Sequence, residues 1–214
     1  MKYLKKNDIS KLTRKSVIYL LATALCEFGI ACYYTARLGT DPISVFVEGV
    51  SFHCDLTVGE ISTICNIILG ILLFFFDCER FGFGTFLMIL TAGPLIDLFY
   101  GLLLRCFPPE ATMLGIRIAI LVTGILTYAF GLGWTILCDI GVGPFSFPPL
   151  FLTKVFHIDL KYTQILTDAI FFAIGFFLGG VYGLGTVLSV LLTGPLMTFF
   201  MKYSEPLIRK IEQS

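Results

Sequence analysis

Charge is scarce in this 214-residue chain: Asp, Glu, Lys and Arg make up 14 % of it, against roughly a quarter in soluble domains. Too little charge is present to coat a soluble surface. Histidine occurs twice and tryptophan once. The seven cysteines (Cys26, Cys32, Cys54, Cys65, Cys78, Cys106 and Cys138) contain no C-x-x-C pair. Their odd number and scatter through apolar runs point away from a disulfide framework or a zinc site and read as small membrane-core residues. Nucleophile signatures such as G-x-S-x-G and H-E-x-x-H are missing too. Gly82-Phe83-Gly84-Thr85 and Gly183-Leu184-Gly185-Thr186 lack the Lys-Ser/Thr that a phosphate loop requires. These gaps disfavour an enzyme; no catalytic residue, no cofactor motif and no metal site is expected.

What is present is apolar, 57 % of the chain. Stretches near the roughly 20 residues that cross a bilayer lie at Ser16 to Ala36, Val58 to Phe76, Phe83 to Leu104, Met113 to Cys138, Tyr162 to Gly180 and Leu184 to Met201. The expected fold is all-α: a polytopic membrane protein of about six transmembrane helices, with the lipid bilayer as its first partner. Glu27 and the lack of a small-x-small cleavage site mark the first segment as a retained helix, not a leader.

The net charge of zero conceals an asymmetry. With the N-terminus inside, cytoplasmic segments hold Lys2, Lys5, Lys6, Lys11, Arg14, Lys15, Arg80, Lys154, Lys161, Lys202, Arg209 and Lys210, and the outer side only Arg37, Arg105 and Arg117. That distribution places both termini in the cytoplasm. Anionic lipid accounts for the basic start, so nucleic-acid binding is not implied.

The chain also repeats itself. Phe81 to Phe99, FGFGTFLMILTAGPLIDLF, returns as YGLGTVLSVLLTGPLMTFF from Tyr182 to Phe200, with nine identities in nineteen positions. Phe28-Gly29 and Leu38 to Ser44, LGTDPIS, return as Phe130-Gly131 and Ile140 to Ser146, IGVGPFS. Three crossings per unit is odd, so the second unit enters from the opposite face, giving two inverted three-helix repeats. The expected division is a basic segment at 1–15, one transmembrane domain at 16–204 (repeats 16–107 and 110–204, parted at Pro108-Pro109) and a tail at 205–214.

Each repeat carries an extra short half-helix. The Gly39-Thr40-Asp41-Pro42 and Gly141-Val142-Gly143-Pro144 breaks precede Ile43 to Phe52 and Phe145 to Phe156, too short to span. Asp41 as N-cap with Pro42 behind it starts the first. Re-entrant, interfacial and helix-extending placements all remain open. Thr57-Val58-Gly59-Glu60 reads as a capping box for the next helix.

Two features nominate a binding site. Gly93-Pro94 and Gly194-Pro195 fall mid-helix at matched positions, where proline should kink or break the helix and free carbonyls for a ligand. The plainer alternative is a kink satisfied by a neighbouring helix or by Thr91 or Thr193. Glu27, Asp97 and Asp168 lie inside crossings with no Lys or Arg at comparable depth, which marks them as substrate- or ion-binding candidates together with Asp41. Their counterparts are Ala129, Thr198, Asn66 and Gly143, so the scaffold is duplicated and the acids are not. Each acid has an ordinary alternative as a protonated hydrogen-bonding carboxyl. His53-Cys54-Asp55 and His157-Ile158-Asp159 also match, but inversion would put them on opposite faces, which suits helix capping better than a shared metal.

With LGTDPIS, GFGT and TAGPLIDLF in view, the chain resembles the YczE/YyaS/YitT family of bacterial integral membrane proteins, over about Cys26 to Met201. The resemblance implies a bacterial cell membrane and a multi-helix fold, and no agreed substrate. The expected function is a small-molecule transporter with inverted repeats, proton- or cation-coupled, of unknown substrate. A non-transporting scaffold or regulatory partner of a biosynthetic or export complex is the alternative. A vitamin-transporter substrate-binding component is disfavoured by the duplication.

Overall fold

The computed structural model describes residues 6–108 and 111–213, with side chains described between 11 and 208. Lys2, Lys5, Pro109 and Ser214, used above for orientation and boundaries, lie outside the described residues. Every regular element within them is helical: α1 (Lys6–Ala36), α2 (Pro42–Ser51), α3 (Val58–Phe76), α4 (Phe83–Cys106), α5 (Leu114–Cys138), α6 (Phe147–Phe156), α7 (Leu160–Phe177) and α8 (Leu184–Gln213). All but α2 and α6 are long and apolar enough to cross a bilayer. The chain is an all-α, multi-pass membrane protein. Its outer surface suits lipid: Phe75 is 75 % and Phe177 84 % exposed.

Local chemistry explains where the helices start. Asp41 caps α2, its carboxylate accepting from the Ser44 N–H, and Pro42 takes the first helical position. Thr57 and Glu60 form the capping box of α3. At ten residues each, α2 and α6 are about 15 Å long, half a hydrocarbon thickness. A separate loop and cap make α2 a new helix and not an extension of α1.

The prolines do not break their helices. α4 and α8 run unbroken through Pro94 and Pro195, and α8 also through Pro206. Thr91 and Thr198 donate to the Leu87 and Gly194 carbonyls inside these helices, at 2.8 and 3.0 Å. Residues 205–213 continue α8, and Lys6 to Lys15 already belong to α1.

The centre is a pair, α1 against α5. Gly29 abuts Gly124 and Tyr128, while Gly131 abuts Ala22 and Cys26. Those contacts require antiparallel helices, and each is the other's counterpart at an offset of 102. α4 flanks α1 and α8 flanks α5. The remaining helices cross between the halves, with α2 on α7 and α6 beside both α7 and α3.

The connections repeat the pattern. Chain reversals at Gly39 (φ +103°) and Gly141 (φ +134°) occupy backbone space that favours glycine. Beside them, the Gly185 N–H donates to the Leu38 carbonyl at 2.7 Å and the Gly84 N–H to the Ile140 carbonyl at 2.8 Å. Each half thereby anchors the start of the other half's last helix.

One contact is not repeated. α3 packs along α4, where Gly59 meets the Gly93 backbone and Thr63 closes over it. α7 and α8 form no comparable seam. Lys161 stands where Gly59 stands in the first half, and Gly194, the counterpart of Gly93, has no neighbour within 4 Å beyond its own helix backbone.

Candidate functional site

Spacing along α1 sets up the site. Tyr19, Thr23 and Glu27 fall at i, i+4 and i+8, on one helix face. They are 0 %, 0 % and 5 % exposed. Tyr19 Oη, Thr23 Oγ1 and Glu27 Oε2 are all buried without a hydrogen-bond partner. Such orphans are uncommon in native interiors, where a buried polar atom nearly always meets protein or water. The counterparts on α5 are Leu121, Ile125 and Ala129, all buried and all apolar.

Asp41, 7 % exposed, lies beyond the far end of α1. The Ser44 hydroxyl donates to its Oδ1 at 2.5 Å and the Ser44 N–H to its Oδ2 at 3.3 Å. Burial pushes the Asp41 carboxyl up from its ordinary value, and the Ser44 bonds oppose that shift. Glu27 on α1 and Asp168 on α7 both lie in electrostatic reach of Asp41, as do the Tyr33, Tyr34 and Tyr128 hydroxyls. Tyr34 donates to the Ser44 carbonyl at 3.2 Å, whereas the buried Tyr33 hydroxyl faces the Ser189 and Thr193 hydroxyls of α8. Asp41 thus lies in electrostatic reach of one acid on each of two other helices, Glu27 with its unpartnered Oε2 and the half-buried Asp168, held by the Gln164 amide at 2.9 Å.

The remaining candidates are elsewhere or have other work. Asp97 reaches from α4 to the start of α3, accepting from the Thr57 hydroxyl at 2.5 Å and the Gly59 N–H at 2.9 Å. A carboxylate at a helix N-terminus satisfies orphan donors and the helix dipole at once, so Asp97 is an inter-helix cap. Gly93 is buried in the same seam. Pro94 is exposed and lines a shallow groove with Val17, Leu21 and Leu90, while Gly194 and Pro195 are exposed on α8. Asn66, 2 % exposed, donates to the Ser62 carbonyl at 3.0 Å and leaves its Oδ1 unpartnered.

Sequence reasoning passed over Tyr19, Thr23 and Glu48. A polar residue every fourth position in an otherwise apolar span was the available signal for the first two. Glu48 was hidden in a stretch read only for length. It is 7 % exposed and accepts from the Val181 N–H at 2.9 Å, tying α2 to the connection between α7 and α8. Burial pushes its carboxyl up as well, against the Val181 bond and the Arg37 charge.

The chain belongs to the DUF6198 family, a family of unknown function, which matches residues 13–202. It is 29 % identical over 185 residues to an uncharacterized protein of Haemophilus influenzae, covering 86 % of this chain and 82 % of that one. It is 23 % identical over 199 residues to the uncharacterized membrane protein YczE of Bacillus subtilis, covering 92 % and 90 %. The resemblance read from the motifs is thus borne out as membership of a YczE-like family. No solved structure matches the chain.

Proposed function

We propose that this protein is a small-molecule transporter of the bacterial cell membrane, built from two inverted repeats, with both termini cytoplasmic and Glu27 as its proton- or cation-exchanging group. The observation that carries the reading is Glu27 itself: a buried carboxyl with an unpartnered oxygen. The charged group in its electrostatic reach, Asp41, is an acid too. An ionised carboxylate in such a place is costly, so it must hold a proton or pair with a cation, and changing between the two couples its charge to whatever opens the interior. Support for the inversion comes from the antiparallel α1 and α5 and their reciprocal contacts. The Lys and Arg distribution supports the orientation. No residue is assigned a catalytic role.

Proteoliposomes loaded with a defined mixture of isotope-labelled amines, amino acids, sugars and organic acids test the reading. One solute should leave faster than from protein-free liposomes, with Glu27→Gln abolishing its dependence on an imposed pH gradient. If folded protein moves none of them, the transporter reading fails and the scaffold reading takes its place. If one moves with unchanged pH dependence in Glu27→Gln, transport stands and the coupling role of Glu27 falls.

A further inference from the structure

The unpartnered oxygens of α1 have an order that Glu27 alone does not explain. From Tyr19 to Thr23 to Glu27 the helix rises about 6 Å per step, about 12 Å in all. None of these three oxygens is hydrogen-bonded to its neighbour, so a water between neighbours would give each a partner, each water needing two to four polar partners. Every group in the series is a hydroxyl or a carboxyl, able to donate and accept. Trp134 packs against the cluster of Ile18, Tyr19 and Cys138, and its buried Nε1–H, also unpartnered, adds a donor at that end.

We propose that the Tyr19–Thr23–Glu27 face of α1 is a binding site for a file of water molecules that delivers protons to Glu27. The inference rests on the reading of Glu27 as a proton-exchanging group and adds the route. At each hop one O–H bond breaks as the next forms, so one proton enters at the Tyr19 end and one is gained at Glu27 Oε2, with no other reactant consumed. The titratable groups in electrostatic reach of Glu27 are Tyr19, Cys26 and Tyr34 on its own helix, Asp41 before α2 and Tyr128 on α5. Among them Asp41 is the one other carboxyl, so it is the competing acceptor for a delivered proton. The second half cannot reproduce the route, because Leu121, Ile125 and Ala129 offer no oxygen.

Infrared difference spectroscopy on the full chain in nanodiscs tests the file. The probe is the carbonyl stretch of a protonated carboxylic acid, assigned to Glu27 by its loss in Glu27→Gln, and followed after transfer to heavy water. Thr23→Val, which keeps the shape and removes the hydroxyl, should slow deuterium exchange of that band about tenfold, the scale of one lost hydrogen bond. Tyr19→Phe should slow it similarly, and Thr23→Ser should restore the wild-type rate. Unchanged exchange in both Thr23→Val and Tyr19→Phe would overturn the file and leave the role of Glu27 intact. Absence of any Glu27 band responding to pH between about 5 and 9 would overturn both. Loss of the band in Thr23→Val together with a lowered unfolding midpoint, unrepaired by Thr23→Ser, would assign Thr23 to packing and sink the proposal.

Discussion

The two halves of the molecule share a backbone plan and differ in what they bury. The α1 face of the first half holds a phenol, a hydroxyl and a carboxyl where α5 holds leucine, isoleucine and alanine. The α3/α4 seam is closed by two glycines and a capping carboxylate, while α7 and α8 stand apart with lysine and threonine at two of those three positions. Duplication preserved the contacts that make a bundle, namely glycine against glycine at α1 and α5 and loop against helix start. It did not preserve polarity. A buried oxygen must find a partner, a proton or water, whereas a buried methyl group needs only space. The α1 face is therefore where a function can be lodged, and the matched α5 face is where stability is simplest to obtain.

The sharpest way to break the comparison is to put one side chain at matched glycines. Gly93→Leu would drive carbon into the Gly59 carbonyl and the Thr63 hydroxyl, neither of which can retreat without moving a helix. Overpacking on backbone should cost about 3 kcal/mol or more, read as a loss of folded yield or a large fall in the detergent unfolding midpoint. Gly194→Leu, with open space at the same repeat position, should be nearly silent. Equal effects from the two would mean that the halves are packed alike.

Next in size is Asp97→Ala. It strips two bonds from the start of α3 and should cost about 1–2 kcal/mol, the range of a lost N-cap, in a reversible unfolding titration. Thr198→Ala at the matched position removes only an intrahelical bond to Gly194 and should stay within about 0.5 kcal/mol.

Glu27→Met, which gives α1 the apolar character of α5, should act in the opposite direction. Removing a buried carboxyl with an unpartnered oxygen is expected to raise stability by about 1 kcal/mol while abolishing pH-coupled solute movement. A destabilised Glu27→Met protein would show that the polar face has a structural role.

The smallest effect should come from Glu48→Gln, which keeps an acceptor for the Val181 N–H. Burial raises the Glu48 carboxyl in the folded state, so the folded form binds more protons than the unfolded one above the ordinary carboxylate value of about 4. Its contribution is complete below that value and declines as pH rises toward the raised folded one. Glu48→Gln should flatten that part of the stability profile. A profile unchanged in shape would place the pH dependence on other groups.

Local signals in the sequence were legible because the physics that uses them is local. The six spans follow from length and apolarity, the start of α2 from Asp41-Pro42, and that of α3 from Thr57 and Glu60, three positions apart. That the prolines leave their helices unbroken was not legible, for a related reason. Clash and lost hydrogen bond are counted within one turn, but whether a helix continues depends on what surrounds it. Nor could sequence separate the acids by role. Asp97 is a cap only because the fold brings Thr57 and Gly59 to it from forty residues away, and Glu27 is free only because nothing does the same for it.

The crossed hydrogen bonds at Leu38 with Gly185 and Ile140 with Gly84 have a consequence for biosynthesis. A ribosome that has delivered only the first half has made a fragment whose fourth helix begins unpinned and whose first loop has nothing to hold. The fourth helix is pinned once Ile140 has been made, whereas the first loop waits for the last helix, so the final crossing completes the exchange between the halves. Severed in the loop between them, the halves should behave as complementary fragments, each supplying what the other was synthesised without.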